Sequence, residues 1–319
     1  MNYKEIVADY KKNSKLKFCF HRNKTHCTSK IKSAHSIQKE KILSQLTTTV
    51  NKNEVLYSFD SFKSDENFRS VDLIPIGKKK ASIFNGFCDY HDSKLFSPIE
   101  NENITFTDKQ NFLITYRSFA HSFHQISEIY NYYLSSGEFI KDFPPNYLKY
   151  HTKTIAWSIY RLSKYKMILD NLIDSESYSE IQYHHRIIKP FVPIAASSIL
   201  RTVYTYKNKF IYNGKDYANV ILNIIPDGER TVILISHFKE DGLGKILFDE
   251  LKSLSDQEFT HAITSLIIFC TENVFFSPKL WDKFSVAEKQ RLLDEKTFCG
   301  RYGSELKEFF KSQFNLFKK

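Results

Sequence analysis

From Thr107 onward the chain repeats large apolar residues at spacings of three and four: Phe112, Tyr116, Phe119, Phe123, Ile126, Tyr130 and Tyr133. That period matches the turn of an α-helix. Thr107 and Gln110 stand before it as a capping box and Gly137 follows it, so the pattern predicts one long amphipathic helix. Pro144-Pro145 interrupts the chain, and a second helical pattern runs through Ile155, Ile159, Leu162, Leu169 and Ile173. Between residues 190 and 240 the pattern becomes β-like, in FVPIAASSILRTVYTY, FIYNGKDYANVILNII and RTVILISHF. Asn213-Gly214 and Pro226-Asp227-Gly228 punctuate these runs as turn signals, which predicts an antiparallel meander of three or four strands. Helical patterns return at 243–254, at 256–271 behind Ser255 and Glu258, and at 286–296 behind Ser285 and Glu288. Residues 1–106 differ from all of this, being short in period, irregular and suggestive of a loop-rich module that needs a staple.

The expected fold class is therefore α+β. Its parts are an N-terminal module over residues 1–106 and an α+β domain over 107–319, with helices in 107–185, the meander near 190–240 and helices in 243–319. A hydrophobic content of 42% over 319 residues is enough for a core, and with only 9 Gly and 8 Pro long disordered linkers are not expected. No apolar run approaches membrane-spanning length and the amino terminus lacks the apolar stretch of a secretory signal. The chain is thus expected to be cytoplasmic, with no membrane partner. Its five cysteines, an odd and unevenly spaced set, are then expected as thiols or metal ligands rather than disulfides.

Charge adds a second feature to the N-terminal module. The net charge is +10, and residues 1–40 alone hold ten Lys or Arg against three acidic residues. A concentrated basic segment suits the phosphate backbone of DNA or RNA, while a solvated surface explains it equally well from charge alone.

Cys19, Cys27, Cys88 and His91 make up a candidate zinc set, because zinc takes four thiolate or imidazole ligands in a tetrahedron and C-x2-H is a common second pair. Seven residues separate Cys19 from Cys27, where two to four are usual, so His21 and His26 stand as rival ligands in the first pair.

The same two stretches resemble the treble-clef HNH endonucleases. Cys19, Cys27, Ile31 and Ala34-His35-Ser36-Ile37-Gln38 are similar to the first motif of that family, with Gln38 where proline is usual. Asn85-Gly86-Phe87-Cys88-Asp89-Tyr90-His91-Asp92 is similar to a shortened second motif. AHSIQ and FNGFCDYHDSKLFSPIE also resemble signatures of an uncharacterised bacterial family. The HNH resemblance implies His35 as general base, Asn85 as the residue orienting it, and His91 or Asp92 as ligand of a catalytic Mg2+ or Mn2+. If His91 holds zinc, Asp92 takes that last place. An alternative role for His35 is a hydrogen bond that buttresses the metal ligands.

Other candidates are plainer. His121 and His124 read as helix-surface histidines, His184-His185-Arg186 with Lys189 as a small basic patch, and Asp241-Gly242-Leu243-Gly244-Lys245 as a helix start rather than a phosphate loop. Cys270 reads as core and Cys299 as a thiol open to reaction. The leading expectation is a zinc-stapled protein acting on nucleic acid, with the HNH resemblance implying an endonuclease and, by analogy, bacterial anti-phage defence or a mobile element. The alternative is a non-catalytic zinc-containing sensor, and in both readings the C-terminal region is expected to bind a protein partner or a second copy.

Overall fold

The computed structural model describes residues 3–28, 30–65, 68–135, 145–302 and 305–318. It is α+β with antiparallel sheets, as the sequence pattern predicts. The chain forms two compact units that interleave along the sequence: Met1–Ala34, Ser64–Phe68 and Ile83–Tyr178 in one, and His35–Lys63, Arg69–Ser82 and Ser179–Lys319 in the other. A single cut after residue 106 does not describe this division. The long helices fall with the cysteine-rich segments, and most of residues 35–82 falls with the C-terminal part.

The first unit begins with helix α1 (Tyr3–Asn13) and an extended stretch, followed by strand β1 (Ile31–His35). After most of residues 35–82 has passed into the second unit it resumes with strand β5 (Ile83–Cys88), helix α2 (Asp89–Leu95), the short helix α3 (Ser97–Glu100), and the long helices α4 (Asp108–Leu134) and α5 (Pro145–Ser175). Strands β1 and β5 pair as a two-stranded sheet. Thr107 caps α4 as predicted, its hydroxyl accepting from the Gln110 N–H at 3.3 Å. The aromatic repeat packs against β5 and the stretch before β1. Phe20, Phe87, Phe112, Tyr116 and Phe119 are all buried, and Phe20 lies 5.4 Å from both Tyr116 and Phe123, edge to face. Arg117, buried on the same helix, donates to Glu100 at 2.5 Å and sits over the Phe96 ring.

In the second unit, β2 (Thr48–Val50), β3 (Asn53–Asp65) and β4 (Phe68–Gly77) join β6 (Ile181–Ile188), β7 (Ile194–Leu200), β8 (Val220–Asp227), β9 (Arg230–Phe238) and β10 (Val274–Phe276). Among the described residues they form one sheet in the order β2-β3-β10-β7-β8-β9-β6, with β4 paired to β3. The predicted meander is its centre, and β6 adds a strand where the basic patch was expected. Pro226-Asp227-Gly228 makes the β8–β9 turn, Gly228 taking a φ of +66°, whereas Asn213-Gly214 lies in the loop before β8. Helices α6 (Gly242–Ser253), α7 (Asp256–Cys270), α8 (Pro278–Trp281) and α9 (Val286–Tyr302) complete the unit. Asp241 caps α6 by accepting from Gly244 N–H at 2.8 Å, so this stretch is a helix start. The core is aliphatic: β7, β8 and β9 face Leu247, Leu251, Ile263 and Leu266 of α6 and α7.

The loop-rich expectation for residues 1–106 fails over Asn53–Asp65 and Phe68–Gly77, two long strands of the large sheet. No helix among the described residues is long and apolar enough to cross a membrane. All five cysteines are free.

Candidate metal centre

The stretch before β1 is held to β5 by two backbone bonds, Phe18 N–H to the Asn85 carbonyl at 3.3 Å and Phe20 N–H to the Gly86 carbonyl at 2.7 Å. Alternation along an extended chain then turns Phe18 and Phe20 one way and Cys19 the other. Lys24 gathers the loop that follows, donating to the carbonyls of Cys19 and of His21. The Cys27 N–H closes a turn on the Lys24 carbonyl at 3.0 Å, and this returns Cys27 to Cys19 across the seven-residue gap. Cys88 ends β5 at the N-cap position of α2, and His91 lies in that helix's first turn, so C-x2-H places both at one helix start.

These four side chains converge. Their ligand atoms all lie within 4.8 Å of one another, and the group could hold a metal ion such as zinc. His91 Nδ1 is 3.5 Å from Cys19 Sγ, 3.5 Å from Cys27 Sγ and 3.1 Å from Cys88 Sγ. Ordinary zinc bond lengths in a tetrahedron set sulfur and nitrogen about 3.6 Å apart, so the spacing fits the ion. Electrostatics suit loading as well. Burial pushes the Cys88 thiol up, but the backbone N–H groups of His91 and Thr28 outweigh it and bring the thiol to about 7. Burial first, then the neighbouring side chains of His21, Lys24 and His26, lowers His91 to about 4 and leaves its imidazole neutral. Cys27 is raised to about 11 by desolvation and by the adjacent Cys19 and Cys88.

His21 and His26 are outside the group. The His21 ring stacks on His91, with centroids 4.0 Å apart, and its Nδ1 accepts from the Asn23 N–H at 3.1 Å. His26 packs against Tyr90. Both also line a cavity of about 320 Å3 next to His91, together with Lys94 and Lys109.

The residues that the HNH resemblance implies for catalysis are not gathered in the same way. Asn85 Oδ1 accepts from Ser33 Oγ at 3.2 Å, and His35, two residues beyond Ser33, shares that face of β1. Asp92 instead pairs with Lys32 at 3.4 Å, a residue that projects from the opposite face. The Nε2 of His35 is shielded from solvent. Among the described residues no second group of three His, Cys, Asp or Glu donors closes around Asp92 or His35.

A groove of about 520 Å3 opens beside β5, lined by Lys11, Lys15, Lys17, Asn85, His121 and His124, among others. The three lysines are exposed. Contrary to the surface reading, His121 and His124 are buried, at 4% and 1% exposure. They lie on the face of α4 that carries Arg117, and a polar residue at core spacing is the signal for this in the sequence. Elsewhere Arg186 is held by Asp256 and the carbonyls of Lys252 and Leu254, and Lys78, the first of three consecutive lysines at 78–80, is buried against Glu40 and Glu54, so neither is open to a phosphate. Cys299 is buried and burial raises its thiol to about 12, which makes it unreactive.

Full burial lowers His121 to about 3, with neighbouring His124 adding to the effect. The unfolded chain, with His121 near 6.5, therefore binds more protons between pH 3 and 6.5, and stability of the first unit rises with pH through that window. Lowering the pH from 7.5 to 5 is expected to cost about 2 kcal/mol through this residue. Urea unfolding of wild type and His121→Phe at the two pH values checks it, since the variant must lose that part of the pH dependence.

No protein-family model, curated protein or solved structure matches the chain.

Proposed function

We propose that the first unit is a treble-clef-like module, folded around structural zinc on Cys19, Cys27, Cys88 and His91, that binds nucleic acid through its phosphate backbone. The groove beside β5 carries this reading, because Lys11, Lys15 and Lys17 line it and are exposed. Glu128, its acidic residue, accepts from the Leu16 N–H at 3.3 Å, so part of its charge is answered locally. The order of the metal module supports the treble-clef comparison: a ligand loop, two paired strands, and a helix opening on the second ligand pair.

Binding is favoured over cleavage because His35 lies on the face of β1 whose Ser33 meets Asn85 of β5, while Asp92 pairs with Lys32 of the opposite face, and a general base and a metal ligand must reach the same phosphate. The proposal thus keeps the nucleic-acid interaction of the leading expectation and leaves out its endonuclease activity. A role in defence has only analogy behind it and forms no part of the proposal.

Phosphate contacts release counterions, so the logarithm of affinity falls with the logarithm of salt by about 0.9 per duplex contact. Wild type should bind labelled DNA or RNA oligonucleotides with such a slope. Lys15→Ala/Lys17→Ala is expected to weaken binding by roughly ten- to a hundredfold at about 0.1 M salt and to flatten the slope. Fluorescence anisotropy across a salt series reads both, and an unchanged affinity and slope in the double variant would remove the groove from the interface.

A further inference from the structure

Besides the lysines, the groove has a second kind of lining. His121 is fully buried in α4, and its Nδ1 has no hydrogen-bond partner among the described residues. Gln125, one turn further along α4, and Asn85 on β5 bring side-chain amides to the same groove. Tyr10, from α1, lines it too. Polar groups that are buried without partners are uncommon and costly, and His121 is one of the residues that line the groove.

The chemistry of this wall is neutral. Desolvation keeps His121 uncharged, so it can offer one donor and one acceptor, and each amide offers both. A phosphate needs donors and positive charge, which the lysines supply. A wall of paired donors and acceptors beside an aromatic ring suits the edge and face of a heterocyclic base. In a duplex that edge is already paired, while an unpaired base can turn into a groove and stack on an aromatic side chain. The groove volume of about 520 Å3 lies within the range of small-ligand sites and leaves room for such a base.

We infer that the groove is a single-strand site, in which Lys11, Lys15 and Lys17 hold the backbone while His121, Gln125 and Asn85 read an unpaired base stacked near Tyr10. This rests on the proposed nucleic-acid function and adds strand type and base preference to it. The lysines act on every sequence equally, whereas the neutral wall discriminates among bases.

The test is anisotropy with fluorescent homopolymers of each base, of one length, and with a duplex of that length, using the full zinc-loaded chain. Wild type is expected to prefer single strands over duplex by roughly tenfold and to rank the homopolymers. His121→Phe and, separately, Gln125→Ala should narrow that ranking while retaining overall binding, and Lys15→Ala/Lys17→Ala should weaken every homopolymer by the same factor. Gln125→Ala guards against a His121→Phe chain that misfolds, with zinc content and helical circular dichroism as controls of fold. Equal binding of duplex and single strand, equal binding of all homopolymers, or a ranking unmoved by Gln125→Ala overturns the base-reading inference while leaving groove binding intact. Absence of binding to every oligonucleotide overturns the inference together with the function it rests on.

Discussion

Serine in place of Cys88 is expected to abolish metal binding and to unfold the segments that the four ligands join. Cys88 is fully buried, its Sγ is 3.1 Å from His91 Nδ1, and its thiol is lowered to about 7 by the N–H groups around it. It is therefore ready to give up a proton to an arriving cation near neutral pH. Zinc bound in this manner contributes apparent folding free energies of about 10–16 kcal/mol in small modules, comparable to or larger than the whole stability of a typical domain. A serine hydroxyl stays protonated near neutral pH and is a poor substitute for thiolate. Hydrogen exchange should show lost protection in β1, β5 and α2, with β7, β8 and β9 as protected as before. Retained metal and retained protection in Cys88→Ser would show that this thiol is not a ligand.

Phe20→Ala is expected to destabilise the first unit by about 3–5 kcal/mol, the cost of removing a large aromatic from a core that cannot collapse around the gap. Phe20 is 1% exposed, with ring centroids of Phe87, Tyr116, Phe119 and Phe123 within 6.2 Å and the Lys166 ammonium over its face at 4.6 Å. It also adjoins Cys19, so the cavity loosens a metal ligand. Urea unfolding followed at Trp157 on α5 measures the loss, and metal affinity should fall with it. A change below about 1 kcal/mol would mean that α4 is not anchored to the metal module through this ring.

The convergence of Cys19, Cys27, Cys88 and His91 was legible in the sequence because thiols and an imidazole at such spacing have few structural reasons to recur. The seven-residue gap concealed how the first pair closes, since Lys24 draws the Cys19 and His21 carbonyls together by a side-chain contact that leaves no spacing signature. Helix α4 was equally plain, with Thr107 capping an uninterrupted aromatic period. The path of residues 35–82 was not. NEVLYSFDSFKSD alternates weakly between polar and apolar residues, and its partner β10 is three residues long and more than 200 residues away, with Phe275 opposite Ser58. Such non-local pairing is set by the assembled sheet rather than by any local pattern. The burial of His121 runs against the polar character of histidine, and its place among Phe119 and Phe123 is the one trace of it in the sequence. The lysines of the groove were visible only as a local excess of charge, and their gathering depends on α1 lying near β5.

The most direct measurement is the metal content of the protein purified without added metal, by mass spectrometry of the intact chain and elemental analysis together. About one zinc per chain is expected, released by a strong chelator with loss of protection in β1, β5 and α2, and absent from Cys19→Ser, Cys27→Ser and His91→Ala. A folded wild-type chain that carries no metal, and whose exchange pattern a chelator leaves unchanged, would contradict the zinc-stapled module on which the proposed function stands.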